Sequence, residues 1–260
     1  MNRLTRALVA EVALLTLLAA AVAASLPLQA GYLGWSWDAL NHHVYLGLTA
    51  ESPRLGHDVM AASSQSYQYP YLYWPVYRMS LLDAPGAWVG AGWAALQVLL
   101  VVPPLWTIAW RLLPCEGAPW YDAGLRIAAC VMGLASTVVL SSVDSTANDL
   151  LATVPLLWAL AMMAGGPQSN GRAFAAAALW GVSSAFKLSN AVFLPLLLVW
   201  WWLPRQPLRQ ALAPQRAAAL ALGAVLGFGV AYAPWGWQLW QATGNPFYPY
   251  GAALFAPAAG

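Results

Sequence analysis

Charge is what this 260-residue sequence has least of: Lys, Arg, Asp and Glu together make up 8% of it. A soluble domain carries about a quarter, so a fold solvated on every side is excluded. The net charge is only +2 and the basic residues are scattered singly, which leaves no electropositive footprint for nucleic acid. Cysteine is nearly absent. Cys115 and Cys130 have no CxxC partner and no histidine nearby; neither a metal site nor a disulfide framework is indicated, and both read as small buried apolar residues. There is no Walker loop, dinucleotide fingerprint or Gly-x-Ser-x-Gly turn, so nucleotide-driven and serine-esterase chemistry have no support.

What is abundant is apolar. The chain is 61% hydrophobic with 16 Trp and a mean hydropathy of +0.59, and several apolar runs reach helix-spanning length. Those are the marks of an integral membrane protein. "MNRLTRALVAEVALLTLLAAAVAASLPLQA" has the positive start, apolar middle and small-residue end of a signal peptide. Its apolar stretch is nearly long enough to span and more spans follow, so an uncleaved first transmembrane helix is expected.

The expected fold is all-α: one polytopic transmembrane bundle over residues 1–260 with seven spans, at 7–28, 86–110, 124–141, 150–165, 173–187, 190–203 and 217–235. "DAPG", "GGPQSNG" and "PRQPLRQ" punctuate the breaks. With the N-terminus inside, Arg3, Arg6, Arg111, Arg126, Arg172, Arg205, Arg209 and Arg216 fall on the cytoplasmic side. Arg54, Arg78 and Lys187 fall outside, which is 8 against 3 of the 11 basic residues and a clear positive-inside bias. One long helix over 173–203 would spoil that asymmetry, so two short helices meeting near Lys187 are preferred. The same topology places Asp38, Glu51, Asp58, Asp83, Asp144, Asp149 and all three histidines outside. The inside keeps Glu116 and Asp122, with Glu11 early in the first helix. The functional face is therefore expected to be external.

That face carries three constellations. In "WSWDALNHHVYLGLTA", a helix over 36–49 puts Asp38, Asn41, His42 and Tyr45 on one face, with Leu40, Val44 and Leu48 as a separate apolar stripe. It reads as an amphipathic helix along the outer membrane surface, in which Asp38 either does chemistry or merely favours the helix dipole. His43 points away from Asp38 and reads as a solvated or packing residue. In "SSVDSTANDLLATVP", Thr146 and Asp149 fit a capping box, while Asp144 and Asn148 are left to line a site or bind a cation. A hard divalent ion would suit such oxygen ligands, although no spacing demands one. In "FKLSNA", Lys187 is costly unless it snorkels or meets an anion such as a lipid phosphate. Arg54 and Arg78, in the long first external loop (about 29–85), are further phosphate candidates, with ordinary headgroup contact as the plain alternative. The loop's "SYQYPYLYWPVYRM" and the later "GNPFYPYGAALF" are aromatic and proline-rich. They suit either an interfacial belt or stacking on sugar rings.

The order of "WDALNHHVYL", "PRLGHD", "QSYQYPYLYWP", "KLSNAVF" and "TGNPFYPYGAALF" resembles bacterial members of the GT-C superfamily. These are polytopic glycosyltransferases that take sugars from polyprenyl-phosphate donors, and the resemblance runs along essentially the whole chain. It implies a seven-helix N-terminal module in the inner membrane of the cell envelope, with the active face periplasmic. It also implies Asp38 as catalytic acid/base. His42 stands where the family pattern has Tyr, and His43 takes the usual His place. The family continues for several helices past the last motif, so the resemblance implies truncation at Gly260.

The reaction expected is inverting transfer. Asp38 serves as general base, C1 passes through an oxocarbenium-like state, and Lys187, Arg78 or Arg54 stabilises the departing lipid phosphate. Asn41, His42, Asp58 and Asp144 complete the substrate-binding candidates. Expected partners are the lipid-linked sugar, the bilayer and a glycan, lipid or protein acceptor. A transporter or flippase using Asp38, Asp144 and Lys187 is the alternative, followed by a non-catalytic scaffold in envelope assembly.

Overall fold

The computed structural model describes residues 3–34, 36–113, 117–143, 145–164, 169–195 and 214–255. Asp144, Cys115, Glu116 and most of the sixth expected span (190–203) lie outside them. The described residues are helical apart from loops and a short extended segment at Ala61–Ser64.

Helix α1 (Arg3–Ala30) packs along α4 (Gly86–Leu112). Between them lie a π-helical turn (Ala39–His43), α2 (Val44–Glu51) and α3 (Trp74–Ser80). Then come α5 (Pro119–Leu134), α6 (Thr137–Val143), α7 (Asp149–Met163) and α8 (Asn170–Phe186). A 3-10 segment (Leu188–Phe193), α9 (Pro214–Thr243) and α10 (Ala252–Phe255) complete the order.

Among the described residues, three helices are long and apolar enough to cross a membrane: Thr5–Ala30, Gly86–Leu112 and Pro214–Thr243. Along α1, Val9, Leu14, Leu17, Leu18 and Val22 are exposed, an apolar surface too large for water and suited to lipid. The expected third span is not one straight helix: α5 and α6 meet at a bend of 68°, and the pair counts as a fourth crossing only if taken together. Helices α7 and α8, at 15 and 17 residues, rise roughly 23 and 26 Å, short of the ~30 Å hydrocarbon core.

The tightest seam joins α8 to α9. A Cβ on Gly227 would lie 2.0 Å from the Ala178 carbonyl oxygen, and one on Gly223 2.3 Å from that of Phe174. From the other side, a Cβ on Gly181 would lie 2.3 Å from the Ala224 carbonyl oxygen. Gly223 and Gly227 are a GxxxG pair, which lets two backbones touch where lipid offers no hydrophobic drive for helices to associate. Gly244, at φ +71°, ends α9 in the left-handed region. Asn245 then fixes the returning chain, accepting from Phe247 N at 2.9 Å and donating to Tyr250 O at 2.7 Å.

Near the other end of α1 a buried charge is fully paired. Arg126 donates to Glu11 through Nε at 2.8 Å and Nη2 at 2.6 Å, and Trp106 Nε1 donates to Glu11 Oε1 at 2.8 Å. This ties α1, α4 and α5 together. The expected topology places Arg126 on the cytoplasmic side, and in the structure its side chain is buried. Arg126→Met is expected to lower stability by about 3–5 kcal/mol, because Glu11 is left without its charge partner. Thermal unfolding in detergent checks this, and adding Glu11→Gln is expected to restore much of the loss.

Candidate functional site

The stretch around Asp38 is not the regular helix that its spacing suggests. Ser36 supplies the first cap, its Oγ accepting from Ala39 N at 3.1 Å, and the Val44 N–H reaches back to the Ala39 carbonyl. That wider turn advances less per residue than an α-helix, so neighbouring side chains can face the same way. Both His42 and His43 are therefore buried, rather than only the one on the Asp38 face. Their rings meet edge-on at 4.4 Å, and His43 stacks on Tyr73 at 4.7 Å. Thr146 Oγ1 and His43 Nδ1 share a hydrogen bond of 2.7 Å. His43 is thus a packing residue and not a solvated one. In the expected apolar stripe Leu40 is exposed, and it is Leu46 that enters the core.

The capping box at α7 does not form. The helix begins at Asp149, its N-cap is Asn148, and Asn148 makes no side-chain cap bond. Thr146 is taken by His43, and Asp149 Oδ1 accepts from Lys187 Nζ. Lys187 itself stands at a helix break, with extended backbone between α8 and the 3-10 segment. Asn190 anchors that break, donating to Ser183 Oγ at 2.9 Å and to Ala152 O of α7 at 3.3 Å.

These groups form one electrostatic neighbourhood. Burial holds the His42 imidazole below its usual pKa; nearby Lys187 adds to this and Asp38 opposes it. Burial, with His42 beside it, brings His43 down to about 4. Burial raises the Tyr73 phenol, and the negative charges of Asp149 and Asp38 raise it further. Asp38, Asp149 and Lys187 thus share one neighbourhood with the two imidazoles and the Tyr73 ring.

The two aromatic clusters meet here. The loop tyrosines clamp onto α9: Trp235 Nε1 donates to Tyr67 O at 3.1 Å, and Gln238 Nε2 to Tyr71 Oη at 3.2 Å. Tyr67 and Tyr248 meet edge-on at 4.5 Å, and Phe247 stacks on Tyr232 at 5.4 Å. The result is a cleft of about 210 Å³, ringed by Tyr67, Tyr69, Tyr73, Tyr232, Tyr248 and Tyr250, with Asn148 and Lys187 in its wall. Leu188 and Tyr232 also line a second, almost wholly apolar groove of about 580 Å³ between α8 and α9.

Of the residues expected at the site, Lys187 lines the cleft. Asp38 does not: its side chain is 63% exposed, with Oδ1 3.8 Å from His42 Nδ1, too far for a hydrogen bond. Asn41 is committed to Gln65, Nδ2 to Oε1 at 2.7 Å. Arg54 and Asp58 satisfy one another through bonds of 2.5 and 3.0 Å, and that guanidinium holds the Asp58 carboxyl below its usual range. Arg78 pairs with Glu51 at 2.7 Å. The structure therefore brings Lys187 to the aromatic cleft and gives both arginines carboxylate partners in the loop. Asp149 and Tyr232 were not singled out for this site; the Thr146–Asp149 spacing concealed the first, and Tyr232 carries no local signal inside an apolar run. Among the described residues, no three His, Cys, Asp or Glu side chains come together to hold a metal ion. No family model matches the chain, nor does any curated protein or solved structure.

Proposed function

We propose that this chain is a membrane glycosyltransferase that moves a sugar from a polyprenyl-phosphate donor to an acceptor on the periplasmic side of a bacterial inner membrane. The supporting observation is the pairing of two cavities. A cleft walled by tyrosines and one lysine adjoins a groove lined almost wholly by apolar residues, and the two share Leu188 and Tyr232. That shape suits an amphiphile with a sugar-phosphate head and a hydrocarbon tail.

In this reading the tail lies along α8 and α9 and the sugar stacks its C–H faces on the tyrosines. Lys187, held by Asp149, faces the phosphate. Asp38 takes the proton from the acceptor hydroxyl as that oxygen attacks C1; the C1–O bond to phosphate breaks and the lipid phosphate departs with the electron pair. An exposed carboxylate outside the cleft wall suits an acceptor arriving from the aqueous side. Arg54 and Arg78, already paired, hold the loop. The proposed topology keeps seven spans with the N-terminus inside, the short α7 and α8 being met by local thinning of the bilayer or by snorkelling of flanking residues.

Asp38→Asn is expected to lower release of polyprenyl phosphate from a polyprenyl-phosphate sugar by about 100-fold or more, a typical general-base contribution, while insertion and donor binding stay normal. Equal release by the variant in the same membranes would remove Asp38 from the chemistry.

A further inference from the structure

Asn148 is the least explained polar residue of the cleft. An asparagine at the N-cap of a helix ordinarily turns its amide oxygen to a free backbone N–H. Asn148 makes no such bond. It is 2% exposed, and its Oδ1 is buried without a hydrogen-bond partner among the described residues. Folded chains seldom leave a buried amide oxygen unsatisfied unless water or a ligand completes it. Asn148 also lines the cleft that holds Lys187 and the tyrosine rings.

The chemistry of the wall narrows what completes it. Lys187 offers only donors and suits an anion. An ionised phosphate offers only acceptors, so it leaves an amide oxygen unpaired. A hydroxyl both donates and accepts, and by donating it satisfies the Asn148 oxygen. The surrounding tyrosines suit the C–H faces of the ring that carries such a hydroxyl. We infer that Asn148 is the specificity-determining residue of this cleft, reading a hydroxyl of the sugar; the inference rests on the glycosyl-transfer reading. Lys187 and Asn148 divide the head between them, the lysine taking the phosphate and the asparagine the sugar.

The test compares wild type, Asn148→Ala and Asn148→Ser in nanodiscs, by equilibrium binding of two kinds of radiolabelled probe. One is decaprenyl phosphate. The others are decaprenyl-phosphate-linked glucose, mannose and arabinose, of which the tightest binder is followed. Asn148→Ala is expected to bind decaprenyl phosphate within about twofold of wild type and the sugar-bearing lipid about tenfold more weakly, the size of one lost hydrogen bond. Asn148→Ser, which keeps a hydroxyl, falls between. Because the side chain caps nothing and buries an unpaired oxygen, Tm of the alanine variant is expected to be unchanged or higher, which a purely structural asparagine would not give.

Equal weakening of both probes overturns the inference, since Asn148 would then be shaping the cleft as a whole. No weakening of either also overturns it and leaves water as the partner of Asn148. Failure of the wild type to bind any of these lipids contradicts the glycosyl-transfer reading itself, and the inference falls with it. That outcome is distinct because it precedes any comparison of variants.

Discussion

Under the proposed function, replacing Lys187 with methionine is expected to lower the affinity for a polyprenyl phosphate by about 10- to 100-fold, the range of one lost charge-assisted hydrogen bond. The geometry makes the loss larger than removal of a positive charge alone. Lys187 Nζ is bonded to Asp149, so methionine leaves that carboxylate facing the phosphate with nothing to offset it. The double variant Lys187→Met, Asp149→Asn is therefore expected to recover part of the affinity lost by the single one. Lys187→Arg keeps the charge with a different reach and falls between. The contrast lies in the loop: Arg54 and Arg78 are partly exposed and already paired with Asp58 and Glu51, so Arg78→Met is expected to change affinity by less than about threefold, as exposed pairs contribute little. Equilibrium binding of a labelled polyprenyl phosphate checks the set. An Arg78 variant that loses more than the Lys187 variant would move the phosphate away from the cleft.

The second large effect is structural. Gly227→Ala adds one methyl group, whose carbon would stand 2.0 Å from the Ala178 carbonyl oxygen. Backbone is what it meets, so no rotamer change relieves the clash and α8 and α9 must separate. Overpacking of this kind typically costs about 1–3 kcal/mol, and a collision with a helix backbone belongs at the top of that range. The cleft is lost with the seam, because α8 runs into Lys187 and α9 carries Tyr232. Gly229 lies on the same helix, yet a methyl group there would meet nothing within 4 Å. Gly229→Ala is therefore expected to leave Tm within about 1 °C and binding unchanged. Thermal unfolding and lipid binding of the two alanine variants side by side test this. Similar behaviour would mean that the seam tolerates separation.

Much of the architecture was legible in the sequence because it depends on local composition. Apolar runs mark α1, α4 and α9, and a lone lysine between short helical segments marks the break that Asn190 then anchors. The pairings were not legible, because they join distant elements. Glu11 and Arg126 are 115 residues apart, and Lys187 and Asp149 are 38 apart. For Asp149 a local rule misled: the Thr146 spacing fits a capping box, yet each side chain finds its partner elsewhere. The π-helical turn is hidden for another reason. A reading at 3.6 residues per turn assigns His42 and His43 to different faces, and one widened turn buries both. The GxxxG seam was present in "LGAVLGFG", but glycines inside an apolar run carry no signal that says which helix they meet.

The measurement closest to the central claim is release of polyprenyl phosphate by the wild-type chain in proteoliposomes, from a panel of polyprenyl-phosphate sugars with candidate acceptors present, while movement of the same lipids between leaflets is followed in parallel. The account predicts release of the lipid phosphate together with sugar appearing on an acceptor, and both lost in Lys187→Met. Movement between leaflets with the sugar–phosphate bond intact would contradict it and make the chain a transporter of lipid-linked sugars.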